Sequence, residues 1–262
     1  MKRRKVSATY MEREGEQYHI GLKKDELASN IILCGEIERV DRVSSFFDNI
    51  RLRKRRREFV TVTGDYRGIP VSVMGTGIGP DNTEIAVIEC TRIIDKKKAV
   101  FIRVGSCGSL QERVRLGDAV ISTAAVRLEN TSLFYVPEGY PAVADHAVVR
   151  ALADSANEIG FKHHVGITAS ASSFYGAQGR SVGIQLRYPN LIAELTGLGV
   201  LNLEMETSAL FTLCSLIGAK AGAICAAYTD RVHDTVIKPA DKKKADFYCI
   251  KAALQALKKL NK

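Results

Sequence analysis

The residues that could do chemistry stand where short apolar runs stop. GEIER (35–39) follows NIILC, GTGIGPDN (75–82) follows PVSVM, and GSCGS (105–109) follows AVFIRV. Three strands ending in glycine could bring backbone N–H groups close to a ligand, because glycine tolerates φ above zero and has no side chain in the way. Two of these segments also carry arginine: Arg39 lies four residues past Gly35, and Arg103 lies inside AVFIRV just before Gly105 and Ser106. An arginine in an apolar run needs an anion, since an unpaired interior charge is costly to desolvate. That anion is either an internal carboxylate or a bound phosphate, which the guanidinium fork holds well. None of the segments matches GxxxxGK[ST] or a clean GxGxxG, which disfavours nucleoside triphosphates and dinucleotides.

A second group is NLEMETSALF (202–211), where Glu204 and Glu206 flank Met205 just before a helical pattern. An ionised carboxylate only accepts hydrogen bonds, so it suits a pair of O–H donors. Residues two apart do not share a helix face, so the two acids are expected to play different parts. The alternative is two solvated acids favoured by a helix dipole.

These groups need a scaffold. Apolar, β-branched runs at 30–34, 70–74, 99–104, 118–126, 164–170, 199–203 and 221–228 alternate with helical patterns at 83–94, 146–159 and 242–260. Such alternation predicts an α/β fold: a mixed, largely parallel β-sheet core covered by helices on both faces. Ligands in such sheets sit beyond the carboxyl ends of the strands. A chain of 262 residues with 46% hydrophobic and 26% charged residues is expected to form a single domain over 1–262, with 1–16 as a basic N-terminal extension.

The six cysteines show no CxxC spacing and lie in apolar segments, as buried free thiols of a reducing compartment would. No apolar stretch follows the N-terminal MKRRK, and no run of about 18 apolar residues occurs, so a cytoplasmic protein without membrane partners is expected. The net charge of +9 is concentrated in short runs such as RLRKRRR (51–57). These lack interleaved aromatics for base stacking, which favours a solvated face over a nucleic-acid partner; a basic nucleic-acid-binding protein is kept as the remote alternative.

Taken together, GEIER, GTGIG, FIRVGSCGSLQ, VRLENTSLFYVPEGYPAVAD, TASASSFYGAQGR and NLEMETSALF resemble, in order and spacing, the nucleoside phosphorylase I family and within it the uridine-cleaving branch. The resemblance runs from about His19 to Arg231. It implies an enzyme in which inorganic phosphate attacks C1′ of a nucleoside and the base leaves, with no cofactor, no catalytic metal, and phosphate as co-substrate. It also implies a homohexamer, a trimer of dimers sharing residues across the dimer contact.

By position, the resemblance assigns phosphate binding to Gly35, Arg39, Arg103 and Ser106, with Arg57 from the neighbouring subunit. Met205 and Glu206 would meet the ribose, as would His19 from the neighbour. Phe174, Gln178 and Arg180 would receive the base: a ring to stack on it, and an amide and a guanidinium matching the O2, N3–H and O4 edge of uracil. Arg180 would also stabilise negative charge on the leaving pyrimidine, and Glu206 positive charge on the sugar, which makes these two the catalytic pair. Arg231 matches a uridine-type arginine. Asp230 falls near the aspartate that purine enzymes use to protonate N7, which leaves a purine nucleoside phosphorylase as the alternative; otherwise Asp230 pairs with Arg231 or caps a turn. Two segments depart from the family: its Pro-Gly-Asp-Pro turn is Cys34-Gly35-Glu36-Ile37 here, and Ser181 to Gly199 is shorter.

Overall fold

Strands that must be buried on both faces read as unbroken apolar runs, and NIILC is buried at all five positions. The computed structural model describes residues 12–180 and 182–261, so residues 1–11 of the expected N-terminal extension lie outside the described residues. In chain order the elements are β1 (Glu12–Arg13), β2 (Glu16–Gln17), β3 (Asn30–Cys34), α1 (Glu38–Ser44), β4 (Asn49–Arg56), β5 (Phe59–Tyr66), β6 (Ile69–Gly75), α2 (Pro80–Ile93), β7 (Val100–Ser109) and β8 (Ala119–Leu128). A 3-10 turn (Thr131–Phe134) leads to β9 (Ala142–Val143), α3 (His146–Glu158), β10 (His163–Ala171), α4 (Leu191–Gly197), β11 (Asn202–Glu204), α5 (Thr207–Ile217), β12 (Lys220–Asp230), β13 (Thr235–Val236) and α6 (Pro239–Leu260).

The sheet is mixed. Pairings β3/β6, β3/β7, β7/β12, β8/β10 and β10/β11 are parallel, while β4/β5, β5/β6, β7/β11 and β8/β12 are antiparallel. Five strands close a ring, β12–β8–β10–β11–β7 and back to β12, and β3, β6, β5 and β4 extend from β7 as an open arm. Helices cover both faces. Val40 of α1, Leu152 of α3 and Leu254 of α6 join one apolar core, and Val87 of α2 and Phe211 of α5 join the other. Helix starts and stops follow local chemistry: Asp145 accepts the N–H groups of Ala147 and Val148 at the start of α3, and Gly218 ends α5 in the left-handed region at φ 78°.

Three elements differ from expectation. GSCGS is not a turn after a strand, because β7 runs through it to Ser109. Its glycines serve close approach instead: a Cβ on Gly105 would stand 2.8 Å from Nη2 of Arg103, and one on Gly108 would stand 2.8 Å from Oγ1 of Thr229. The strand expected over 199–203 forms only at Asn202–Glu204. RLRKRRR lies largely on the edge strand β4, whose charged residues deter pairing with another chain. Its cations meet acids of the same chain: Arg51 with Asp65 at 3.3 Å, Arg53 with Asp41 at 2.6 Å, Lys54 with Glu26 at 3.2 Å, and Arg56 with Glu16. All six cysteines are buried and free, as expected. Among the described residues no helix is long and apolar enough to cross a membrane.

Candidate active site

The site forms where β7 changes neighbours. One edge of β7 pairs with β3 from Val100 to Arg103 and with β11 at Gly108 and Ser109, while β12 follows the other edge from end to end. Residues 104–107 therefore pair with neither β3 nor β11, and a cavity of about 730 Å³ opens beside them. This is the divergence of strands at which open α/β sheets bind ligands. The cavity wall includes Gly35, Arg39, Arg103, Ser106, Met205 and Glu206, and also Phe174, Gln178 and Arg180.

Arg103 is 6% exposed and meets two acids. Its Nε donates to Oε2 of Glu204 at 2.7 Å, and its Nη2 lies 2.6 Å from Oε2 of Glu206. Burial works against the cation, but the Glu206 and Glu204 carboxylates outweigh it and hold the Arg103 pKa above its ordinary value. Two carboxylates on one guanidinium leave an excess negative charge, and the two acids do play different parts. Glu204, at the end of β11, also accepts the backbone N–H groups of Glu206 and Thr207 at 2.9 and 3.0 Å and the hydroxyl of Ser170, which fixes the start of α5. Glu206 accepts the N–H of Gly79 at 2.7 Å and faces the cavity. Burial, then the neighbouring Glu204 charge, raise the Glu206 pKa against the pull of Arg103. Both acids are buried, so the solvated-acid reading fails.

The GTGIG segment is the one of the three that uses positive φ, at Gly77 (80°) and Gly79 (109°), and that turn aims the Gly79 N–H at Glu206. Arg39, on α1, is 1% exposed. Its Nε donates to Oδ1 of Asp246 at 2.5 Å, and its Nη2 lies 2.9 Å from Oε2 of Glu36. Both arginines thus border one cavity, and each is held by acids of its own chain.

The Arg180 guanidinium sits 4.1 Å from the centroid of the Phe174 ring. Burial and then the nearby Arg231 charge lower its pKa, and its Nε is buried without a hydrogen-bond partner among the described residues. Gln178 is buried in the same cavity wall; Arg231 is outside the wall, its side chain against Gly108 of it. Asp230 lies outside the wall. Its carboxylate accepts the N–H groups of Val232 and His233 at 2.9 and 3.1 Å and meets the His233 ring at 2.8 Å, so it caps a turn. Those contacts hold its pKa down despite burial.

His19 and Arg57 also lie outside this cavity wall but close to one another. Nη2 of Arg57 donates to the Tyr18 hydroxyl at 3.0 Å, and the His19 ring packs edge-on against Tyr18. Glu89, buried on α2, accepts the His19 N–H and holds Nδ1 of the ring at 2.7 Å. Arg57 takes a left-handed φ of 52° in the tight turn between β4 and β5.

Sequence reasoning passed over Glu36, Gly79 and Asp246. Asp246 gave a signal: it stands on the buried stripe of α6 with Ala245, Cys249 and Ile250, and an acid on an apolar stripe needs a cation. Among the described residues no group of three or more His, Cys, Asp or Glu is arranged to hold a metal ion.

Comparison with known proteins assigns the family. The family profile described as the phosphorylase superfamily matches residues 30–261. A uridine phosphorylase of Thermococcus kodakarensis is 44% identical over 236 residues, 88% of this chain and 84% of the relative. The uridine phosphorylase of Escherichia coli is 32% identical over 94% of this chain and 99% of the relative, and a guanosine phosphorylase of Halorubrum lacusprofundi is 32% identical over 80% and 82%. With the profile spanning nearly the whole chain on this fold, the protein belongs to the phosphorylase superfamily.

Proposed function

We propose that the chain is a uridine phosphorylase, catalysing the reversible conversion of uridine and inorganic phosphate to uracil and ribose 1-phosphate. The observation that carries the reading is a single cavity whose wall holds Arg39, Arg103 and Glu206 together with Phe174, Gln178 and Arg180. Phosphate would replace Glu206 on Nη2 of Arg103 and reach Arg39, Ser106 and the backbone at Gly35. The freed Glu206 carboxylate would then accept the sugar hydroxyls, with Met205 against the ring. As the bond at C1′ breaks, Glu206 would stabilise positive charge on the sugar and Arg180 the negative charge on uracil, with Gln178 reading the base edge. Positioning and charge stabilisation carry the rate, so no covalent intermediate and no cofactor is called for.

His19 and Arg57 would complete a neighbour's site. Their proximity to each other, outside the wall of this chain's own cavity, supports a dimer-based assembly, and we extend it to a hexamer. The buried thiols fit a reducing cytoplasm, and the proposed reaction fits a part in nucleoside salvage. The purine reading is motivated by the relative named guanosine phosphorylase, but Asp230 is spent on capping a turn. The acids paired with the β4 cations count against nucleic acid.

The test is a panel of uridine, thymidine, inosine and adenosine, each with and without phosphate. Phosphate-dependent cleavage of uridine is expected; preference for inosine would overturn the base assignment, and equal rates without phosphate would point to hydrolysis.

A further inference from the structure

Arg39 is held by two acids that are unlike each other. Asp246 reaches in from α6 and is 3% exposed; its Oδ1 accepts Nε of Arg39 at 2.5 Å and its Oδ2 accepts Nε of Arg42 at 2.5 Å. Glu36 completes a closed ring, its Oε2 at 2.9 Å from Nη2 of Arg39 and its Oε1 at 2.9 Å from Nη2 of Arg42, but its side chain is 31% exposed and borders the cavity. The Tyr228 hydroxyl backs the ring, 3.4 Å from Nη2 of Arg39 and 3.5 Å from Oδ1 of Asp246.

The chemistry divides accordingly. A guanidinium gripped at Nε keeps its outer nitrogens for another anion, and a buried acid shared between two guanidiniums is a fixed support. An acid on the outer nitrogen, partly exposed at the cavity, can be exchanged for an oxyanion at small cost in desolvation.

We infer that Asp246 is a positioning residue for phosphate, clamping Arg39 from the C-terminal helix, and that Glu36 is the internal anion phosphate displaces from Nη2. This deepens the proposed function and rests on it. Asp246 touches neither substrate and acts through Arg39. It links a helix with no other part in the site to the affinity for the inorganic substrate alone.

The test is steady-state kinetics with phosphate and uridine varied separately for Asp246→Asn, Glu36→Gln and Arg39→Ala. Asp246→Asn should raise the phosphate KM by about ten- to a hundredfold, the span of a lost charged hydrogen bond, while the uridine KM changes by less than about threefold. Glu36→Gln should move it the other way, lowering the phosphate KM several-fold. A merely structural Asp246 would change both KM values together or lower kcat alone, and either result overturns the inference. Should Asp246→Asn not fold, Glu36→Gln decides alone: an unchanged or higher phosphate KM refutes the exchange. Arg39→Ala separates this inference from the reading beneath it. If Arg39→Ala raises the phosphate KM and Asp246→Asn does not, only this inference fails; if Arg39→Ala leaves it unchanged, both fall.

Discussion

Replacing Glu204 with glutamine tests whether this buried acid organises the site. Its Oε2 accepts Nε of Arg103 at 2.7 Å, the N–H of Glu206 at 2.9 Å and that of Thr207 at 3.1 Å; its Oε1 accepts Thr207 at 3.0 Å and the Ser170 hydroxyl. An amide keeps one acceptor oxygen. With that oxygen in the Oε2 place, the new NH₂ faces the Thr207 N–H, donor against donor, and a Ser170 hydroxyl that already accepts the Ser208 N–H at 2.9 Å. The change removes the charge behind the Arg103 bond, worth about 1.5–3 kcal/mol, and leaves a buried donor poorly matched, at about 1–3 kcal/mol. Relief of the excess negative charge shared with Glu206 offsets part of this, leaving a net loss of about 2–4 kcal/mol. In a chain of this size that lowers the melting temperature by about 4–16 °C. Thermal unfolding at pH 7 and one fixed protein concentration reads it directly, and the phosphate KM should rise as Arg103 loosens. A Glu204→Gln variant melting within about 2 °C of the parent would refute the reasoning, because a carboxylate holding five contacts cannot be neutralised without cost.

Glu206 should behave in the opposite sense. Its pKa is raised by burial and by Glu204, so the native state holds that proton more tightly than the unfolded chain, and the ionised form costs stability above its native pKa. Glu206→Gln should therefore melt higher than the parent at pH 7 though nearly inactive, and the gap should close as pH falls toward the ordinary carboxylate range; a gap that widens toward acid contradicts this. Gly105→Ala would set a Cβ 2.8 Å from Nη2 and 2.9 Å from Cζ of Arg103, and 3.0 Å from Sγ of Cys225, so the guanidinium must shift. An increase of about tenfold in phosphate KM, with the uridine KM less affected, is expected from kinetics, and unchanged constants would show that the guanidinium's place is not critical. Mixing Arg57→Ala chains with Arg103→Ala chains, each inactive alone, should restore activity, since some sites then draw an intact arginine from each chain. Recovery is read as uracil release after refolding the mixture, and none would mean that Arg57 does not cross between subunits.

Much of the fold was legible because apolar runs and their alternation survive in one dimension. NIILC, PVSVM and the helical stripe of α6 formed as their patterns require. What escaped were features set by pairing partners. β4 reads as a basic run because an edge strand can be polar on both faces, and its strand character comes from β5. GSCGS reads as a turn because glycine usually marks one, whereas here Gly105 and Gly108 let side chains cross a strand that continues. In the site, Arg103 announced that it needed an anion and Arg39 was placed by the family resemblance, but their chain partners Glu204 and Asp246 lie 101 and 207 residues away. Only packing could bring those acids home, which is why the arginines were legible and their present partners were not.

The central claim is that Arg39 and Arg103 close on one oxyanion once Glu206 lets go of Nη2. A crystal structure of the protein with phosphate bound measures this directly. Phosphate oxygens within hydrogen-bond distance of both guanidiniums, with Glu206 turned from Arg103 toward the sugar side, is the predicted result. Phosphate absent from the cavity at saturating concentration, with the Arg103–Glu206 and Arg39–Glu36 pairs both intact, would contradict it.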